Sequence, residues 1–304
     1  MKSTSNIHSL RAGVIGTGFI GPVHVEALRR LGVPVVAICD VADLARTAAA
    51  KLAIPQAFAD YRQMLACPEV DVVHITTPNR FHAEMSLAAL RAGKHVICEK
   101  PLAMNTRETA QIVKAVRATG RVFAVNYNVR FYPAVLQLHQ LVQRGQLGDI
   151  IHVNGSYLQD WLFKDTDYNW RLLPQEGGTL RAVADIGTHW MDTLSFILGA
   201  KKSAWWSSEE PELLHFGNRD GANETAVRAT SAFGDGAVGF MDYPPGHVEG
   251  FPDTFKMNFR AIYSAIAGAD RGLYATAADG HQEVAVCEAI IRSNQSQSWV
   301  KVSS

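Results

Sequence analysis

The sequence predicts an α/β protein: a doubly wound parallel sheet followed by an α+β domain with a small sheet. Three observations carry this. Short apolar runs and amphipathic stretches alternate about five times within the first 130 residues. The runs "VPVVAICD" and "VDVVHITTP" are nearly continuous, as strands buried on both faces are. A glycine-rich turn, "GTGFIG", joins the first strand to the first helix.

Each element follows from its own pattern. After the glycine turn, Val23, Ala27, Leu28 and Leu31 recur at helical spacing, and Gly32 is the stop. "VADLARTAAAKLA" reads as a helix, and so does "RFHAEMSLAALRAG", ending at Gly93. "KHVICEKP" and "RVFAVNYNV" are strands flanking a capped helix, "NTRETAQIVKAVRATG". The pattern changes near Tyr127. "YPAVLQLHQLVQRGQLG" is a helix, and "DIIHVNGSYLQDW" alternates as a strand does. "DIGTHWMDTLSFILG" is helical. Weak strand signals follow in "SAWW", "ELLHF", "AVRATSAF" and "AVGFMDY". Helices return in "PDTFKMNFRAIYSAIA" and "DGHQEVAVCEAIIRS", and a short strand, "SWVKV", closes the chain.

The 304 residues suffice for one large or two modest domains, and 47% hydrophobic content supports a sizeable core. Lys+Arg and Asp+Glu both number 29. That balance argues against nucleic acid or an anionic membrane surface as a bulk partner. No apolar run is long enough for a membrane span, and no leader pattern opens the chain. Cys39, Cys67, Cys98 and Cys287 are widely spaced, with no CxxC. They read as buried free thiols, so a cytoplasmic, reducing location is expected.

The glycine turn holds Gly16, Gly18 and Gly21. The first permits a tight turn and the second lets backbone N–H groups approach a pyrophosphate. The third allows close helix–strand packing. Gly16, Gly18, Phe19 and Ile20 are therefore candidate cofactor contacts. Asp40 ends the next strand about 20 residues on, where a carboxylate accepts hydrogen bonds from an adenosine ribose. No Arg or Lys follows it at once, which favours NAD over NADP.

Other motifs leave alternatives open. Lys100, in "CEKP" at a strand's C-terminal end, is either a donor to a substrate oxygen or a solvated lysine. Asp185 and His189 are i and i+4 on a helix and share a face, with Asp192 three further on. A metal site would need a third strong ligand, and HExxH is absent. Acid/base groups and a plain polar pair both remain. For Asp192, a surface acid or one satisfied by packing is expected. Trp161 and Trp170 suit either a sugar's C–H face or core packing.

Four stretches together resemble the Gfo/Idh/MocA family (glucose–fructose oxidoreductase, inositol dehydrogenase, rhizopine catabolism). They are "GVIGTGFIGPVH", "TTPNRFHAEMSLAALRAGKHVICEKPLAMN", "GGTLRAVADIGTHWMD" and "GHVEGFPDTF". The resemblance implies a Rossmann-type dinucleotide-binding domain over 1–126 and a substrate domain over 127–304. It also implies a nicotinamide-dependent dehydrogenase of a sugar, cyclitol or related polyol. On this resemblance Lys100 polarises the reacting oxygen, Asp185 binds substrate and His189 is the general acid/base. Lys100 also touches the cofactor. Thr77, Pro78, Asn79, His82 and Glu99 match nicotinamide-side contacts. Asn128, Trp170 and Arg171 are similar to further cofactor or pocket positions, with Trp161 on the substrate side. An NAD-dependent glycosidase and a non-catalytic NAD-binding regulator share the fold and are the alternatives.

The chain departs from the family at one place. The family's second domain carries a broad, mostly antiparallel sheet that often forms the oligomer interface. Here several strands' worth of sequence is missing near 200–203, or, on an alternative alignment, "AVRATSAFGDGAVGFMDY" is a retained hairpin and the loss is spread elsewhere; on either alignment the sheet is expected to be shortened with exposed edges, and a homo-oligomer is possible but disfavoured.

Overall fold

A computed structural model describes residues 6–147, 153–197, 203–217, 224–229, 233–244, 246–269 and 272–302. The chain begins with β1 (Ala12–Ile15), α1 (Ile20–Arg30), β2 (Val35–Cys39), α2 (Ala42–Lys51), β3 (Gln56–Phe58) and α3 (Tyr61–Ala66). It continues through β4 (Val72–Ile75), α4 (His82–Arg91), β5 (His95–Cys98), α5 (Thr106–Thr119), β6 (Phe123–Val125) and α6 (Pro133–Gln143). Next come α7 (Pro174–Gly177), a π turn (Val183–Gly187), α8 (Thr188–Ile197), β7 (Ser203–Trp205), β8 (Leu213–Gly217) and β9 (Glu224–Val227). The last elements are α9 (Asp235–Val238), α10 (Phe251–Ile266), β10 (Ala275–Thr276) and α11 (Ala277–Ser296).

Contacts divide the chain into two units. The first comprises Met1–Tyr127, Leu158–Thr188 and Phe259–Ser304. The second comprises Asn128–Tyr157 and His189–Asn258.

The first unit is built on one sheet with the order β10-β6-β5-β4-β1-β2-β3. All pairings are parallel except β10 with β6. Val and Ile dominate these strands because both faces are buried. Ile15, Val73, Ile75, Val96, Val125 and Leu102 belong to one continuous core. Chain order reverses between β1 and β4, so the crevice at their C-terminal ends is the sheet's switch point. Gly16, Thr76 and Glu99 lie just beyond the ends of β1, β4 and β5. Asn105 caps α5, its side chain accepting from Glu108 N–H, and Gly120 ends that helix with φ 62°.

The second unit holds a three-stranded antiparallel sheet, β7-β8-β9. Arg228 follows β9 and is fully buried. Its guanidinium meets Glu212 (2.6 Å) and Glu249 (3.0 Å), and it also donates to the carbonyl oxygen of His247 (2.6 Å). A buried guanidinium is tolerated because its donors are met in this way.

Several expectations are corrected. Residues 153–160 form no strand, and 149–152 lie outside the described residues. The stretch is mostly exposed, and no described strand pairs with it, so its alternation has no ladder to join. In "AVGFMDY" the chain turns through α9, and Phe240 is buried 5.4 Å from Phe131. "SWVKV" is not a strand, and Trp299 is fully exposed. Among the described residues of "AVRATSAF", only Ala226 and Val227 pair, at the end of β9, and 230–232 lie outside the described residues. Cys67 is half-buried, while the other three cysteines are buried; all four are free. The strand loss expected near 200–203 falls on 198–202, outside the described residues, and at the start of β7. No described helix is long and apolar enough to cross a membrane.

One consequence for stability concerns His95 on β5. Its Nδ1 accepts the Val122 N–H at 3.0 Å. Burial, aided by Arg121, lowers the imidazole from 6.5 to about 4. The folded state favours the neutral ring, so this stability is full above 6.5 and is lost as pH falls toward about 4. Urea midpoints measured across that window should fall. His95→Gln, which accepts but does not titrate, should flatten the fall; an equally steep fall would exclude His95 as the source.

Candidate active site

The glycine turn shows what each glycine permits. Gly16 has φ +100°, and a Cβ there would lie 2.8 Å from the Thr76 backbone. At Gly21 a Cβ would meet the Gly16 carbonyl oxygen at 2.2 Å. At Gly18 it would meet nothing within 4 Å. The first and last glycines are therefore needed by the fold, and the middle one faces open space. Gly21→Ala should destabilise the fold by about 1–3 kcal/mol. Gly18→Val should leave thermal stability unchanged and weaken NADH binding, as calorimetric titration would show; unchanged binding would remove Gly18 from the cofactor path.

Asp40 sits just past β2. Its Oδ2 accepts from the backbone N–H (2.7 Å) and hydroxyl (2.6 Å) of Thr17, and its Oδ1 from Val41 N–H (2.7 Å). The carboxylate is thereby tied to the glycine turn. Phe19 is exposed in that turn, and Ile20 opens α1.

Two loops follow β4 and β5, and His82 pins them together. It is buried, with Nδ1 2.8 Å from the Pro101 carbonyl oxygen and Nε2 2.9 Å from that of Thr77. Burial lowers its imidazole pKa, and these carbonyls offset the effect in part. Pro78 precedes Asn79, whose amide donates to the Gly177 carbonyl oxygen (3.0 Å). Arg80 pairs with Glu176 at 2.7 Å. The loop after β4 is thus tied to α7.

Lys100 and Asp185 are brought together. Lys100 Nζ donates to Asp185 Oδ1 (2.5 Å) and to the Asp185 carbonyl oxygen (2.6 Å). Arg171 Nε donates to the same Oδ1 at 3.2 Å. The Arg171 guanidinium lies 4.4 Å from the Trp170 ring centroid and 5.8 Å from that of Trp161. Trp161 itself is partly exposed, its indole N–H donating to Gln159 (2.8 Å). Asp185 lies in the π turn, preceded by Arg181 at a left-handed φ of 42°. Such wide turns and positive-φ residues concentrate at functional sites. Lys100 and Asp185 are only slightly exposed, so the pair is an ionic centre in a largely dry setting.

Glu99, before Lys100, is buried. Its Oε1 accepts from His24 (2.9 Å) and Asn126 (2.5 Å), and its Oε2 from Lys100 N–H (3.3 Å). Burial alone would raise this carboxyl, but His24, Lys100 and Asn126 outweigh it and hold it at about 2. His24 and Asn126 were not singled out by the sequence pattern. Neither was His74, though a histidine inside the apolar run "VDVVHITTP" is itself an anomaly worth following.

In the second unit, His189 is buried on α8, edge-on to Tyr157 with ring centroids 5.7 Å apart. Asn128 is buried too, its amide donating to Thr254 Oγ1 (2.7 Å). Asp192 is a buried partner rather than a surface acid. Its Oδ1 and Oδ2 accept from Arg130 Nη2 (2.6 Å) and Nε (2.8 Å). Among the described residues, no three His, Cys, Asp or Glu side chains are grouped to hold a metal ion.

An open glycine turn at the switch point, with a carboxylate at the end of the neighbouring strand, is what a dinucleotide-binding α/β protein presents. Family comparison agrees in both halves. Residues 10–127 match the oxidoreductase family with an NAD-binding Rossmann fold, and residues 135–249 match the GFO/IDH/MocA C-terminal domain. The chain belongs to the GFO/IDH/MocA oxidoreductase family.

Among its relatives, the levoglucosan dehydrogenase of Pseudarthrobacter phenanthrenivorans is 34% identical over 204 residues, 64% of this chain and 52% of the relative. The chain thus matches about half the length of that enzyme. The 1,5-anhydro-D-fructose reductase of Ensifer adhaerens is 30% identical over 274 residues, 86% of this chain and 74% of the relative. A solved levoglucosan dehydrogenase in complex with NADH and levoglucosan superposes with a TM-score of 0.88 at 25% identity. That match covers 97% of this chain and 100% of the other.

Proposed function

We propose that the chain is an NAD-dependent dehydrogenase that oxidises a carbinol of a sugar, cyclitol or related polyol. The observation that carries this reading is the Lys100–Asp185 pair, held in a largely dry setting just past the end of β5. Relatives named for levoglucosan and anhydrofructose chemistry support the substrate class. Gly16, Gly18, Phe19 and Ile20 would hold the dinucleotide's phosphates and Asp40 its adenosine ribose. Thr77, Pro78, Asn79, His82 and Glu99 would lie on its nicotinamide side, and Asn128, Trp170 and Arg171 are further candidate cofactor contacts. When bound, NAD supplies the hydride acceptor.

The chain's own residues do the rest. Lys100 donates to the reacting oxygen and stabilises the negative charge that develops there. Asp185 orients Lys100 and accepts from a substrate hydroxyl. His189, four residues after Asp185, takes the hydroxyl proton as general base. Trp161 offers an aromatic face to the sugar's C–H groups. Four free thiols, three of them buried, support a reducing, cytoplasmic location.

The test is a screen for NAD and NADP reduction across sugars, anhydrosugars, inositols and sugar acids. Net NADH formation with at least one polyol is expected. Cleavage of a glycoside without net NADH would replace this reading with a hydrolase. Tight NADH binding without turnover of any candidate would replace it with a sensor.

A further inference from the structure

We infer that His24, His74 and Tyr263 are positioning residues for Glu99, forming a one-directional hydrogen-bond chain that fixes this carboxylate beside Lys100. The inference rests on the proposed reading of Lys100 as the donor to the reacting oxygen.

Three contacts run in line through the first unit. Tyr263 Oη is 3.0 Å from His74 Nε2, His74 Nδ1 is 3.0 Å from His24 Nδ1, and His24 Nε2 is 2.9 Å from Glu99 Oε1. The groups come from α10, β4, α1 and the end of β5, far apart in sequence. His24, His74 and Tyr263 have no measurable exposure. The Phe259 ring packs at 4.7 Å from the His24 ring and 5.0 Å from that of His74.

With His24 neutral, as the inference holds, the two ends set the direction. Burial pushes the Tyr263 phenol well above its ordinary value, so it keeps its proton and is able to donate. Glu99 is ionised, and a carboxylate only accepts. Burial also drives His74 well below 6.5, so that ring is neutral. A neutral imidazole has one donor and one acceptor. With Tyr263 donating to His74 Nε2, His74 carries its proton on Nδ1. His24 Nδ1 then accepts, and its proton sits on Nε2, facing Glu99. With both rings neutral, any other pair of tautomers places two lone pairs or two N–H groups face to face across one of the contacts; a His24 imidazolium would instead donate to both Glu99 and His74 and reverse the His74–Tyr263 contact, an outcome the NMR test distinguishes and that would overturn the inference. The order Tyr263→His74→His24→Glu99 satisfies all three at once.

The chain is a brace and not a conduit, because its Tyr263 end is buried. At its other end, Glu99 Oε1 is occupied by His24 and Asn126 while Oε2 accepts Lys100 N–H. The carboxylate therefore cannot rotate without breaking charge-assisted bonds, and the backbone that carries Lys100 is held with it.

Tyr263→Phe tests this, since it keeps the ring and removes only the terminal donor. In the wild type, nitrogen-15 NMR at neutral pH should show His74 protonated at Nδ1 and His24 at Nε2. In Tyr263→Phe these signatures should change, and kcat should fall about tenfold. Substrate KM and the NADH dissociation constant should stay within about twofold, because no binding group is removed. His24→Gln supplies one donor and one acceptor in the same places and should keep kcat within about threefold of wild type. His24→Leu, which supplies neither, should not. Opposite tautomers in the wild type, or unchanged kcat in Tyr263→Phe, would overturn the inference. So would equal losses in the Gln and Leu variants. If His24→Leu does not fold, the NMR and Tyr263→Phe arms decide. If no polyol is turned over, the dehydrogenase reading fails, and the wild-type tautomers alone decide the direction of the chain.

Discussion

Replacing Lys100 by Met is expected to lower kcat by about 10²–10³-fold while NADH still binds. Lys100 Nζ has two of its donors on Asp185, at 2.5 and 2.6 Å, which leaves one for a substrate oxygen. Those two bonds fix where the third points. An ammonium in a largely dry setting is worth far more to a developing oxyanion than one in water. Met keeps the unbranched stem, so packing changes little. Asp185 keeps Arg171, at 3.2 Å, so its charge is not stranded. The loss should therefore appear in kcat more than in stability. Steady-state kinetics on the substrate found by screening, with NADH fluorescence titration and a thermal melt alongside, would measure all three. A kcat within about threefold of wild type would remove Lys100 from the chemistry.

Arg130→Met should cost about 3–5 kcal/mol of folding stability in the second unit. Arg130 and Asp192 form a two-pronged pair, and both side chains are almost fully buried. The guanidinium also lies 4.8 Å from the centroid of the Phe196 ring. Removing Arg130 alone leaves a carboxylate in the interior with its principal partner gone. That penalty is a large share of the about 5–15 kcal/mol by which domains are stable. Removing both charges, in Arg130→Met with Asp192→Leu, should recover most of the loss, because apolar pairs of similar volume often replace buried ion pairs at little cost. Chemical denaturation of the three variants gives the coupling directly. Equal losses in the single and double variants would show that packing, not the ion pair, is what matters there.

The two halves of the chain were unequally legible. β1, β2, β4, β5 and β6 announce themselves because each is apolar on both faces and followed by a helix of regular period. β3 and α3 are too short for a period to show, and β10, two residues long, exists only because it pairs with β6. In the second half, alternation misled. A strand is defined by a neighbour, and "VNGSYLQD" and "AVGFMDY" have none among the described residues. The candidate site was proposed where a motif marks it, as at Gly16, Asp40 and Lys100. It was not legible where partners meet only in space. Arg130 and Asp192 are 62 positions apart, and Tyr263 and His74 are 189 apart.

The wide turn from Val183 to Gly187 makes this part of the gene sensitive to length as well as to spelling. Each helical residue turns the chain by about 100°. An in-frame loss of a single codon between Arg181 and Asp185 would swing the Asp185 side chain away from Lys100 by about that angle. Every candidate site residue would remain in the translated chain, and an inventory of motifs would report nothing amiss. Such a deletion would be silent to a search by residue type and visible only as a change of phase.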